Sequence, residues 1–321
     1  MVIALALVLA LTVWLVVRFA APPATTHLRA DAASAPPSGS LLRDTLADGS
    51  PGPELVVIPA GRFVMGADGP HAQAQERPVR EVVLQRPLAV ARTETTVAQF
   101  ARFVQGAGYL VQRGCWYHTN DGKWLEIDSA TWLASRFAQG DDHPVTCVNH
   151  RDASVYAAWL SQQTGHHYRL PSEAEFEYFN RAGVTENLPA RQREAAAICR
   201  VANSADASSG LHYAVDCDDG YHHTSPVANY DANAFGLFDT SGNLWEFTLD
   251  CWNPNYEPRW RTLFQPPPVD GSAWMRGDCG RHVLRGGSYL SAAENLRLSR
   301  RKAGGAMRRV SSSGFRVVRE F

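Results

Sequence analysis

The chain has 321 residues, 45% of them hydrophobic and nine of them tryptophan, which is enough apolar material for a sizeable core in one large domain or two smaller ones. Lysine and arginine total 31 against 32 acidic residues, so no global basic field exists and nucleic-acid binding is disfavoured. The charge is uneven: from Arg276 onward eleven Lys or Arg face three acids, Asp278, Glu294 and Glu320. Such a basic tail ordinarily pairs with acidic surface elsewhere; the sharper alternative is a cationic rim on a binding groove.

Residues 2–17 are an uncharged run, apolar but for Thr12, ending at Arg18. The run falls just short of the roughly 17–25 residues of a spanning helix and exceeds the roughly 7–15 of a signal-peptide core. No Lys or Arg precedes it, and no clean small-x-small cleavage site precedes Pro22. Residues 1–19 are therefore expected to be an N-terminal membrane anchor, with a cleaved signal peptide as the alternative. Arg18 then lies on the outer side, against the positive-inside tendency. Residues 20–52 are rich in Ala, Pro and Ser without periodicity and read as a flexible tether. The folded domain is expected over 53–321.

Residues 54–59 and 62–65 read as two strands joined at Ala60-Gly61, and 82–84 and 88–91 continue strand character. Val97, Phe100, Phe103 and Val104 fall at helical spacing after Thr95-Thr96, with Gly106 and Gly108 as stops. Val155, Tyr156, Trp159 and Leu160 mark a second helix stopping at Gly165. A third starts at Ser172, with Glu175 in capping-box position and Gly183 as its stop. Beyond Gly183 periodicity nearly disappears for about a hundred residues, and long irregular loops need something to hold them. Periodicity alone gives an α+β, loop-rich domain.

The six cysteines, Cys115, Cys147, Cys199, Cys217, Cys251 and Cys279, form no C-x-x-C pair, so a zinc site is disfavoured. An even count behind an export segment reads as disulfides. Sequential pairing is the simplest scheme: Cys115 with Cys147, Cys199 with Cys217, and Cys251 with Cys279. Each bridge would contribute about 2–4 kcal/mol and implies oxidising surroundings. The stretch Asp216-Cys217-Asp218-Asp219-Gly220-Tyr221, beside Asn203-Ser204, concentrates oxygen donors of the kind a hard cation takes.

Three short cassettes close the chain in fixed order: Phe235-Gly236-Leu237-Phe238-Asp239-Thr240-Ser241-Gly242-Asn243-Leu244-Trp245-Glu246-Phe247, then Val283-Leu284-Arg285-Gly286-Gly287-Ser288-Tyr289, then Ser313-Gly314-Phe315-Arg316-Val317-Val318-Arg319. With Gly61-Arg62-Phe63-Val64-Met65-Gly66, His143-Pro144-Val145 and Arg169-Leu170-Pro171-Ser172-Glu173-Ala174-Glu175 upstream, they resemble the formylglycine-generating (sulfatase-modifying factor) family over residues 53–320. The resemblance implies a single α+β domain with little regular secondary structure, related to the C-type lectin fold. It also implies two structural calcium sites. One would use Asn203, the Ser204 carbonyl, Asp219 and the Tyr221 carbonyl; the other Asp239, the Gly242 and Leu244 carbonyls and Glu246. Without calcium, Asp239 would cap a turn and Glu246 would pair with an arginine of the basic tail.

Characterised members oxidise a cysteine in a Cys-x-Pro-x-Arg peptide with oxygen and a copper(I) held by two cysteine thiolates, which follow the Gly-Gly-Ser motif by three and eight residues. Those positions here are Ser291 and Leu296, and neither offers the soft sulfur that copper(I) prefers. Copper is therefore not expected. Ser288 is kept. Together with Ser291, Glu294, Arg297, Arg300 and Arg301, it makes up the candidate groove.

Related bacterial proteins lacking those cysteines include non-haem-iron sulfoxide synthases and a periplasmic pyoverdine-maturation oxidoreductase. Iron stays open: a facial triad wants two His and a carboxylate around one site, whereas His166-His167 follow a helix and His222-His223 sit in the expected calcium loop. Ser291 as a hydrolase nucleophile lacks an elbow motif. Trp245 and Phe247 are expected to pack the core. Two functions remain. One is an oxidoreductase of altered chemistry acting on a peptide or siderophore-like substrate; the other is a non-catalytic relative binding a partner or client protein through the groove. The expected location is the periplasmic face of a Gram-negative inner membrane, or the soluble periplasm after signal cleavage, with the membrane met only through the N-terminal segment.

Overall fold

The computed structural model describes residues 35–119, 121–187, 195–258 and 266–321. The expected anchor lies outside the described residues, among which no helix is long and apolar enough to cross a membrane. Among the described residues thirteen strands fall in chain order: β1 (Leu41–Leu42), β2 (Leu55–Ile58), β3 (Gly61–Met65), β4 (Arg80–Leu84), β5 (Leu88–Ala91), β6 (Cys115–His118), β7 (Trp124–Ile127), β8 (Tyr168–Arg169), β9 (Trp245–Trp252), β10 (Asp278–Arg285), β11 (Arg301–Gly305), β12 (Ser313–Gly314) and β13 (Val318–Arg319). The helices are α1 (Val97–Ala107), α2 (His150–Thr164), α3 (Glu173–Arg181) and the short α4 (Ala195–Ile198).

A five-stranded sheet in the order β1-β2-β5-β13-β8 carries a core on each face. Strand side chains alternate between faces. Accordingly Leu55, Ala89 and Ala91 join Phe100, Phe103, Tyr156 and Trp159 of α1 and α2, while Val56, Ile58, Leu88 and Val90 join Phe176 and Phe179 of α3. Burial on both faces explains why β2 and β5 are unbroken apolar runs.

The helices begin where the caps require. Thr96 with Gln99, Asn149 with Asp152 and Ser172 with Glu175 each close a capping box, satisfying amide groups the first turn leaves unpaired. Gly108 and Gly165 end the first two helices in the left-handed conformation.

A second sheet, β11-β10-β9-β12, gathers the three cassettes. Glu246 of β9 lies opposite Arg285 of β10 and opposite Gly314 of β12, so the motifs share one register row. The three disulfides are Cys115–Cys147, Cys199–Cys217 and Cys251–Cys279, as sequential pairing predicts.

One expectation at the start of the domain needs correction. The tether does not extend to residue 52: β1 pairs with β2 and Leu46 is buried in the α1–α2 core, because its side chain finds apolar neighbours there. The strands read at 54–59 and 62–65 form as β2 and β3, and the structure places them in different sheets. β2 is taken up by β1 and β5, and β3 pairs with β4, since only β2 is apolar enough for a two-sided core.

Much of the basic tail turns inward. Arg285 bonds Glu177 at 2.6 Å, Arg297 bonds Glu76 at 2.5 Å, and Arg301 bonds Glu173 at 2.7 Å. Arg309 bonds Asp152 at 3.0 Å and Arg316 bonds Glu246 at 2.7 Å. All ten side chains are buried. These arginines pair with acids as the ordinary reading of a charge run has it, but in the interior, where loss of either partner strands a charge.

Candidate functional site

The Gly-Gly-Ser cassette delivers Ser288 to the wall of an open groove of about 500 Å³. Gly286 and Gly287 both hold positive φ, and a Cβ on Gly287 would stand 2.6 Å from Leu296 Cδ2. The turn therefore demands glycine and presents the next serine to the cleft. Ser288 donates its backbone N–H to Ser291 Oγ at 2.9 Å, and its own hydroxyl accepts from the Leu290 N–H at 3.3 Å. Both serines line the groove. Leu296 is fully buried against Ile198, Cys199 and Ala202, so the second thiolate position of characterised relatives is here a packed alkyl group. All six cysteines are in disulfides.

Of the charged candidates, Glu294 and Arg300 line the groove. Arg297 and Arg301 do not, because their guanidinium groups are held in the core by Glu76 and Glu173. Arg301 also lies over the rings of Trp252 and Tyr256. Their places are taken by residues that the motif reading missed: His118 and Trp124 from the β6–β7 hairpin, His212, Tyr213 and Lys302. Lys302 Nζ stands 5.7 Å from the Trp124 ring centre and 5.4 Å from that of Trp245. Burial, with Arg300 and Arg308 nearby, pushes its pKa down to about 8. Trp245 thus packs the core and walls the groove, while Phe247 is core alone.

Histidine pairs do not gather into a triad. Among the described residues, the side chains bringing three potential ligand atoms within 4.8 Å are Cys199, Asp206 and Asp219, and Cys199 is spent in its disulfide. His167 bonds Glu320 at the surface. His222 bonds the Ser208 carbonyl, and His223 stacks on Phe137 at 4.2 Å, where burial lowers its pKa to about 4.

The residues of the first expected calcium site do come together. Asn203 Nδ2 donates to the His223 carbonyl at 2.8 Å, while its buried Oδ1 has no partner. Asp219 accepts from the Ser204 N–H at 3.1 Å and from the Tyr221 N–H at 3.0 Å. Burial, with Asp206 and Asp218 nearby, raises the Asp219 pKa to about 7. An orphaned amide oxygen beside a reluctant carboxylate fits a hard cation.

At the second site both Glu246 oxygens accept from Arg316 at 2.7 Å, the pairing expected without calcium. Asp239, at positive φ, accepts the Ala228 N–H, and burial raises its pKa to about 6. Glu94, which sequence reading passed over, accepts from Leu244 N–H and Asn243 Nδ2. Burial, then Asp239 and Glu246, hold its pKa well above the ordinary carboxylate range. Three carboxylates share one guanidinium here, and the surplus negative charge fits a divalent cation. Gly242 joins the two loops: a Cβ there would meet the Asn203 carbonyl at 2.4 Å.

The sulfatase-modifying factor enzyme 1-like domain model matches residues 44–321. The formylglycine-generating enzyme of Streptomyces coelicolor is 31% identical over 262 residues, 73% of this chain and 78% of that protein. The inactive C-alpha-formylglycine-generating enzyme 2 of Bos taurus is 26% identical over 75% of this chain and 77% of its own length. Among solved structures, PvdO from Pseudomonas aeruginosa superposes with a TM-score of 0.72 at 33% identity, covering 89% of this chain and all of that one. With its three cassettes on one register row and this match across the whole folded region, the chain belongs to the sulfatase-modifying factor (formylglycine-generating enzyme) family.

Proposed function

We propose that this protein works outside the cytoplasm, engaging a peptide or siderophore-like molecule in the groove above Ser288 by chemistry other than copper–thiolate oxidation of cysteine. One observation carries the reading: the two positions that supply copper thiolates in characterised relatives are a groove serine, Ser291, and a fully buried leucine, Leu296, and no free thiol exists elsewhere in the chain. A hydroxyl and an alkyl group cannot replace soft sulfur on copper(I). The oxidoreductase reading draws on the family and on the open, polar cleft. The second reading, a non-catalytic relative that holds a partner through the same groove, is favoured by the likeness to a relative described as inactive.

Calcium is proposed as a structural cation. Asn203, Ser204, Asp219 and Tyr221 would hold one ion. Asp239, Gly242, Leu244 and Glu246, with Glu94 adjoining, would hold the other. A bound ion would neutralise the buried carboxylates and clamp the irregular segment, leaving the groove residues to bind and orient the ligand. The disulfides favour an oxidising compartment, and the periplasmic face of the inner membrane is the location proposed.

The test is aerobic incubation with a Cys-x-Pro-x-Arg peptide, with and without copper, read by mass spectrometry. No aldehyde mass is expected, and its appearance at catalytic turnover would overturn the reading. The S291C/L296C variant then asks whether ligands alone were lost: copper(I) binding is expected to return only if the Leu296 pocket accepts a thiolate.

A further inference from the structure

Lys302 is a groove cation without a counter-charge in contact with it. It sits on the edge strand β11, opposite Leu284 of β10, with its ammonium between the faces of Trp124 and Trp245. Among the described residues its ammonium has no ion-pair or hydrogen-bond partner, and the charges that act on it are the like charges of Arg300 and Arg308. Its neighbours on the tail went the other way: Arg301 is paired and buried. Arg300 also reaches the groove, its guanidinium bonded to Gln73 and its Nε unpartnered. The one carboxylate lining the groove, Glu294, is exposed and makes no ion pair with either cation among the described residues.

A half-buried ammonium beside two further cations is unfavourable unless something negative arrives. The aromatic faces offset part of that cost by cation–π attraction, but they bring no charge. They do shape what can enter. Trp124 stands edge-on to His118 at 5.3 Å, and Tyr213 and His212 close the wall, so the space beside the ammonium is a cleft bounded by rings.

We infer that Lys302, Trp124 and Trp245 form a seat for a flat aromatic acid, its anionic group on Lys302 and its ring among the side chains of the cleft. This rests on the groove reading above and specifies its ligand class. It also departs in charge from a Cys-x-Pro-x-Arg peptide, whose arginine brings a cation rather than an anion. Anion binding there favours the charged amine, so affinity falls as pH rises through about 8. His118, whose pKa burial lowers, is already neutral.

The probes are 2-naphthoate and its neutral counterpart 2-naphthylmethanol, titrated calorimetrically into the full-length protein. Naphthoate is expected to bind at least tenfold more tightly than the alcohol. Lys302→Met should abolish that preference, Lys302→Arg should retain it, and Trp124→Ala should weaken both probes. Lys302 is partly exposed on an edge strand, and an unchanged urea midpoint verifies that Lys302→Met is folded. Equal affinity for acid and alcohol, no binding of either, or a naphthoate preference that survives in Lys302→Met would each overturn the seat. The groove reading itself fails on a separate readout, the aldehyde mass of the peptide assay.

Discussion

Arg316→Met isolates the clearest electrostatic dependence in the fold. The guanidinium is fully buried, bonds both oxygens of Glu246, and donates to the Phe238 carbonyl at 3.0 Å. Methionine keeps roughly the apolar stem and deletes the charge, which leaves Glu246 buried without its partner and Glu94 and Asp239 repelling it. Breaking a buried pair from one side costs about 3–5 kcal/mol, and on a domain of this size that corresponds to a fall in Tm of roughly 10 °C. Equilibrium urea unfolding followed by tryptophan fluorescence, in calcium chelator, measures the loss. The double variant Arg316→Met/Glu246→Met removes the stranded charge as well and should recover at least half of it. A single-variant cost below about 1 kcal/mol, or a double variant no more stable than the single, would refute the reasoning.

Two further expectations follow from the buried carboxylates. Calcium should stabilise chelator-treated protein against urea by about 2.7 kcal/mol at a hundredfold excess over Kd. Asp239→Ala should lose part of that gain, and coincident curves with calcium and with chelator would count against both sites. Asp250, buried beside Glu173, has its pKa raised to about 7 in the fold against 3.8 for the free group. A raised carboxylate binds its proton more tightly when folded, so its contribution is present below about pH 4 and is lost as pH rises through about 7. Stability measured across that window should therefore fall less steeply in Asp250→Asn than in the wild type, and identical slopes would show that Asp250 is not the group responsible.

What the sequence revealed followed the range of the interactions involved. Thr96 with Gln99 and Ser172 with Glu175 are local chemistry, three residues apart, and the helices start there. Sequential cysteines pair because each partner is the next in line. The orientation of the tail arginines had no such signature: Arg300 and Lys302 face the groove while Arg301 between them is buried, and the choice is made by Glu173, 128 residues away. Trp124 and Lys302 meet across two sheets, and no spacing rule connects them. Glu94 looked like one acid among threonines; its role appears only once Asn243 and Leu244 are folded over it.

The position of β13 governs the order in which this chain can mature. That strand lies between β5 and β8, so the central gap of the first sheet stays open until residues near 318 arrive. Arg285, Arg297, Arg301, Arg309 and Arg316 reach their acids over the same final stretch. A chain threaded from its N-terminus passes through a long interval with an unzipped sheet and uncompensated carboxylates, and topology of this kind is slow to close. The disulfides span only 18 to 32 residues and need nothing beyond residue 279. Each can therefore be sealed early, holding the unfinished molecule in correct local register until its last strand slots home.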